Sequence, residues 1–193
     1  MEDQISSNTD ISLMSKETDA NSSANASFES QFPISPSLKK HIIKAIVANL
    51  EDIIEENKKN NKYKYILKDN IFYLENLPPI SLEKYVQHLV KYTQMNISTL
   101  ILAVMYIDEF CEKYKYFLTS NNIYRLILIS VFISLKYNED IFINANAYAS
   151  IAGVSVEDLK NLEFQMCVAL DFSFFIKSKN YQQYFQYFSK YSA

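Results

Sequence analysis

The chain has 193 residues, 49% of them hydrophobic, and a net charge of −3. That length holds one domain of ordinary size plus a tail, and that charge gives no general attraction to nucleic acid or to an anionic membrane. One glycine and four prolines exclude a β protein, whose turns draw on glycine, asparagine and aspartate at positive φ; an all-α fold is expected.

Residues 1–36 are rich in serine, asparagine and acidic residues, with scattered apolar side chains and no period. Such a segment cannot bury enough apolar area to offset its ordering entropy, so a disordered tail is expected. Its acidic start lacks an apolar signal region, which points away from secretion. Cys111 and Cys167 are therefore expected to be reduced, in a soluble protein of the cytoplasm or nucleus. Ser35-Pro36 is a minimal site for a proline-directed kinase, although a turn before a helix is the simpler reading.

From Ser37, the expected N-cap, apolar residues Leu38, Ile42, Ile43, Ile46, Val47, Leu50, Ile53 and Ile54 recur at helical spacing. The helix is expected to fade into the charged run Glu55–Asn61, a solvated linker that extends to residue 76. Pro78-Pro79 then forces an extended break. Ser81 caps a helix burying Leu82, Tyr85, Val86, Leu89 and Tyr92, and another helix runs from about Ser98 to Tyr114. Thr119 or Ser120 caps a helix from Ile123 to Leu135 that is apolar nearly all round, so neighbours must pack on several of its sides. That helix is too short to span a bilayer. Asn144 caps a short alanine-rich helix closed by Gly153, and Ser155 with Asp158 opens the next, Val156 to Leu170. A last helix, about Lys179 to Tyr191, presents Tyr181, Tyr184, Phe185 and Phe188 on one side.

No catalytic constellation emerges. His41 and His88 lie on separate helices, the two cysteines lack zinc spacing, and one glycine cannot build a phosphate-cradling loop. The pairs Glu51/Asp52 and Glu139/Asp140 read as local charge clusters. No enzyme activity, metal, cofactor or small-molecule substrate is expected.

Two charges do stand where burial should exclude them. Lys136 ends the apolar helix, where the helix dipole favours a cation. Glu163 interrupts a face formed by Leu159, Leu162 and Met166, so it needs a donor, either within the chain, for which Arg125 is a candidate, or on a partner.

The segments Pro79–Tyr85, Lys91-Tyr92-Thr93, Ala103–Asp108, Asn122–Leu126, Lys136 with Asp140, Asn146–Ala149, Gly153-Val154, Leu159, Leu162-Glu163 and Leu170-Asp171-Phe172 form a series. In order and spacing this series resembles the cyclin box, specifically the single-box P/U-type cyclins that include phosphate-signalling members. The resemblance implies a five-helix box at 77–176 around the central apolar helix, with additional helices at 37–76 and 177–193. It also implies a non-catalytic subunit that binds and activates a cyclin-dependent protein kinase. In this family a lysine ending the third box helix and a glutamate in the fifth hydrogen-bond to the kinase near its mobile αC helix, and those positions fall on Lys136 and Glu163. An acidic residue at the place of Asp140, with Glu139 as the alternative, can engage basic residues of the kinase and lessen its need for activation-loop phosphorylation. Several positions depart from the family: it usually has arginine near His88 and at Glu109, histidine at Tyr124 and glycine at Ala152. One box only is expected. A scaffold without kinase activation, or a transcription-factor-like interaction module, are the competing readings. The acidic charge argues against nucleic acid as a partner.

Overall fold

The computed structural model describes residues 34–60, 70–140 and 143–191. Residues 1–33 of the expected tail and 61–69 of the expected linker lie outside that description. The described residues form seven helices: α1 (Pro36–Lys59), α2 (Leu82–Thr93), α3 (Ile97–Tyr114), α4 (Ile123–Asn138), α5 (Ala145–Ala152), α6 (Val156–Ala169) and α7 (Ser178–Lys190). The described residues hold no strand.

Local chemistry sets most of the helix starts. The side chains of Ser81, Asn144 and Ser155 accept from the backbone N–H groups of Lys84, Ala147 and Asp158, as their sequence positions suggest. Helix α1 differs: its cap is Ser35, not Ser37. The Ser35 hydroxyl accepts from Leu38 N at 3.2 Å, and Pro36 occupies the first turn, where a missing N–H costs nothing. Asn122, not Thr119 or Ser120, precedes α4. Its amide closes the preceding turn, accepting from Thr119 N and donating to Phe117 O.

The far end of α1 corrects a second expectation. The run read as solvated linker continues the helix to Lys59, and Asn57 within it is buried. Its amide donates to Leu118 O at 3.1 Å and fastens α1 to the loop between α3 and α4.

The core is built on α3 and α4. Every residue from Thr99 to Ile107 and from Leu126 to Leu135 is buried, so two helices share the centre that the sequence assigned to α4 alone. They run antiparallel, with the Ser134 hydroxyl near the end of α4 donating to Thr99 O at the start of α3. Helices α2 and α6 lie against α4, and α5 bridges them. On the other side α1 and α7 pack on α3 and on each other, so the apolar stripe of α1, including Ile42, Ile46 and Leu50, is covered by its own domain. Tyr92, expected on the buried face of α2, is exposed. Thr93 is buried beside it, with its hydroxyl returned to Leu89 O.

Helix α5 is tied down at its last turn by α2. The Tyr85 hydroxyl donates to Ala152 O, and the His88 ring binds Ile151 O. Gly153 then turns the chain with φ +74°, and a Cβ there would meet nothing within 4 Å. Glycine is required for its backbone angle and not for space. No helix among the described residues is long and apolar enough to cross a membrane.

Helix α7 is anchored through a charge. Tyr184 donates its hydroxyl to Asp108 Oδ2 on α3 at 2.5 Å. Burial pushes the Asp108 carboxyl up, the Tyr184 bond opposes this, and the neighbouring Glu112 adds to the rise. Tyr184→Phe removes that bond and leaves a carboxylate without its donor, at an expected cost of about 1.5–3 kcal/mol at neutral pH. A group whose folded pKa is raised is more easily protonated in the native state, and its burial as a charge ceases to matter once protonated. The penalty of Tyr184→Phe should therefore shrink as acid protonates Asp108, a trend that thermal unfolding at several pH values would read.

Candidate functional site

The two charges singled out in the sequence meet each other. Lys136, in the last turn of α4, donates Nζ to Glu163 Oε1 on α6 at 2.5 Å. Arg125 does not take the internal role considered for it, since its Nη1 is bonded to Ile71 O. The Lys136 side chain is 43% exposed and that of Glu163 22%, so the pair stands at the surface within reach of a second molecule. Its in-chain partnership resolves the burial problem for Glu163 without hiding either charge. The aliphatic stem of Lys136 also brings Nζ to 5.4 Å from the Phe132 ring centre.

Exposed apolar side chains flank the pair in the chain. Phe164, next to Glu163, and Val168 stand four residues apart on α6, and Phe172 follows beyond the helix end; all three are exposed. Tyr137, next to Lys136, and Phe175 are exposed as well. Phe172 is placed at a conformational cost, because Asp171 and Phe172 both adopt left-handed backbone, φ 52° and 54°. The turn is held by hydrogen bonds from Asp171 N to Val168 O and from Phe172 N to Cys167 O. Lys113 grips it from α3, with Nζ donating to Ala169 O and to the Asp171 carboxylate. A strained turn that keeps an aromatic ring in water suggests a surface with a purpose.

The two adjacent acids have different roles. Glu139, half-buried, accepts from Asn96 N at 3.1 Å, from Asn96 Nδ2 at 2.9 Å and from the Thr99 hydroxyl. The Asn96 side chain makes no cap bond to α3, so Glu139 supplies the carboxylate that the positive end of α3 favours. Asp140 is exposed. Sequence reasoning puts Asp140 first with Glu139 as the alternative; of the two, Asp140 is exposed and Glu139 is half-buried against Asn96 and Thr99. It misses Phe164 and Val168, although their four-residue spacing apart from Leu159, Leu162 and Met166 was legible.

Nothing in this region resembles a reaction centre. Among the described residues no group of His, Cys, Asp and Glu side chains could hold a metal ion. His41 is exposed and His88 is spent on α5. Cys167 lies close to the ion pair; burial raises its thiol pKa, Glu163 adds to that and Lys136 opposes it. This is an unreactive thiol at neutral pH.

Comparison with known proteins locates this geometry. The family model described as Cyclin matches residues 3–174, a span that includes α1 as well as the helices from α2 to α6. The chain is 27% identical over 136 residues to Cyclin-P3-1 of Oryza sativa, covering 69% of this chain and 54% of that protein. It is 26% identical over 145 residues to Cyclin-U2-1 of Arabidopsis thaliana, covering 72% and 65%. PHO85 cyclin-7 of Saccharomyces cerevisiae is 27% identical over 125 residues, 58% of this chain and 44% of that protein. The chain thus spans about half to two thirds of the length of these relatives.

The Lys136–Glu163 pair is solvated and contributes little to folding. Lys136→Ala and Glu163→Ala should each change unfolding free energy by less than about 1 kcal/mol, measured by urea denaturation.

Proposed function

Because the chain belongs to the cyclin family, in its P/U-type branch, we propose that it is a non-catalytic regulatory subunit that binds and activates a cyclin-dependent protein kinase. The observation that carries this reading is the surface Lys136–Glu163 pair, on helices that also expose Tyr137, Phe164 and Val168, with Phe172 and Phe175 exposed just beyond α6. Contiguous exposed apolar side chains around a few oriented polar groups are what a protein interface offers at its centre. A kinase docked here would share the Lys136 ammonium and the Glu163 carboxylate through hydrogen bonds. It would cover the aromatic rim and hold its own αC helix inward, completing the Lys–Glu pair of its ATP site. The domain boundaries follow the same reading: the box proper occupies 77–176, with α1 before it and α7 after it packed on α3.

Asp140 is assigned the second role. Exposed immediately beyond α4, it can meet arginine or lysine side chains that a phosphorylated activation loop would otherwise neutralise. Glu139 is left out of this role, because its carboxylate already caps α3.

PHO85, which appears in the name of the yeast relative, is the first probe, alongside the kinase recovered with the full chain from native extract. Lys136→Ala and Glu163→Ala should each weaken binding by at least about tenfold, and the double variant should abolish kinase activation while circular dichroism shows the helices unchanged. Retained binding by the double variant would move the chain to a scaffold role. Asp140→Ala should still activate a phosphorylated kinase but fail with an unphosphorylated one. Glu139→Ala should instead lower stability by about 0.5–2 kcal/mol through loss of the cap, visible in thermal melts of the free protein.

A further inference from the structure

Besides Glu163, Phe164 and Val168 on α6, the proposed docking face includes two strips that are far apart in sequence, the end of α4 with Lys136, Tyr137 and Asp140, and the segment Phe172–Ile176 after α6. Between them lies the side chain of Tyr106, from the middle of α3, fully buried. Its hydroxyl donates to Phe174 O at 2.9 Å and receives the Asn138 amide at 3.4 Å. Asn138, the last residue of α4, also donates to Ser134 O at 3.0 Å. The phenol of Tyr106 therefore touches both strips at once.

The Phe174 ring is clasped on the same axis. It packs edge-on against Tyr106, centroids 5.7 Å apart, and against Tyr137 at 5.4 Å. Phe174 is half-buried while Phe172 and Phe175 on either side are exposed, so its backbone is the point from which those two rings project. At its other end the α4 strip is held by Glu139 on the first turn of α3. Both restraints tie the α4 strip to α3, the most deeply packed helix beside α4: the Tyr106 bonds are part-buried, and the Glu139–Asn96 bonds lie at the exposed start of α3.

We propose that Tyr106 is a positioning residue for kinase binding, setting the Phe172–Ile176 strip in register with Lys136 and Asp140 through Phe174 O and Asn138. This rests on the reading of the face as the kinase-docking surface. The buried hydroxyl has no other duty in the core: burial raises its pKa to about 12, which the Asn138 bond only partly offsets, so it stays a neutral donor throughout the physiological range. A phenylalanine at 106 would fill the core equally well. What it would lack is the one atom that joins the strips.

Tyr106→Phe tests this in the full chain. Amide hydrogen exchange should accelerate within residues 172–176 and leave α3 and α4 protected; unchanged exchange in that segment would overturn the proposal without reference to any kinase. Affinity for the kinase established with the parent protein should fall roughly 2- to 30-fold, measured well below the unfolding temperature. A purely structural role would lower the melting temperature and leave that affinity unchanged. The decisive arm is a double-mutant cycle with Phe172→Ala/Phe175→Ala. If Tyr106 acts through those rings, its removal should cost almost nothing further once they are gone, whereas full additivity would refute the mechanism. Should the parent bind no kinase while the exchange result holds, it is the docking reading that has failed, and the restraint on the segment stands.

Discussion

The burial of two adjacent helices that are apolar nearly all round is the constraint on which the rest depends. Helices α3 and α4 each lose almost their whole circumference to other protein, and each fully buried aliphatic side chain contributes on the order of 1.5–3 kcal/mol relative to exposure. Such helices cannot exist at a surface. They oblige the chain to supply cover on every side, with α2, α5 and α6 over α4 and with α1 and α7 over α3. The only places where they reach solvent are their ends, and the ends are where the charged and functional groups sit.

Polar residues inside that core have an ordering effect out of proportion to their number. Ser134, Asn138, Thr99 and Glu139 knit the end of α4 to the start of α3, while Asn57 and Asn122 fix the loop at the opposite end. Apolar packing is nearly indifferent to a small slide of one helix past another, but a buried amide or carboxylate is not, because a lost partner there leaves a desolvated group unmatched. The edge that carries Lys136 and Asp140 is positioned by these bonds. The His88 ring takes the α5 carbonyl, and Asp108 is satisfied from α7 by Tyr184.

Much of this was legible in the residues. Caps at Ser81, Asn144 and Ser155, the left-handed Gly153 and the misplaced charges Lys136 and Glu163 all have local signatures that one sequence reveals. Asn57, Glu139 and Arg125 share one feature that a single sequence hides, a partner distant in the chain. Asn57 looked solvated because its acceptor, Leu118 O, is 61 positions away. Glu139 stood as an alternative to Asp140 because nothing local says that Asn96 will claim it. Arg125 looked like the counter-ion of Glu163 because charge alone cannot show which helix ends coincide. Burial period and capping are short-range codes, and tertiary hydrogen bonds are not.

The self-pairing of Lys136 and Glu163 has a consequence for how such a face can work. Two unpaired charges on an apolar surface would each have to be stripped of water when a partner arrived, and that penalty would oppose binding. Already joined at 2.5 Å, they present to a partner a single oriented dipole with unused capacity. The ammonium has two further N–H groups, and the carboxylate has another oxygen and spare lone pairs. A partner's backbone groups can fill those without breaking the pair. The desolvation is then shared among three groups, and the apolar rim supplies most of the driving force. Charge at the centre with apolar side chains around it favours one orientation of the partner over others. The aromatic rim alone would bind less selectively, and the pair alone would bind weakly in water.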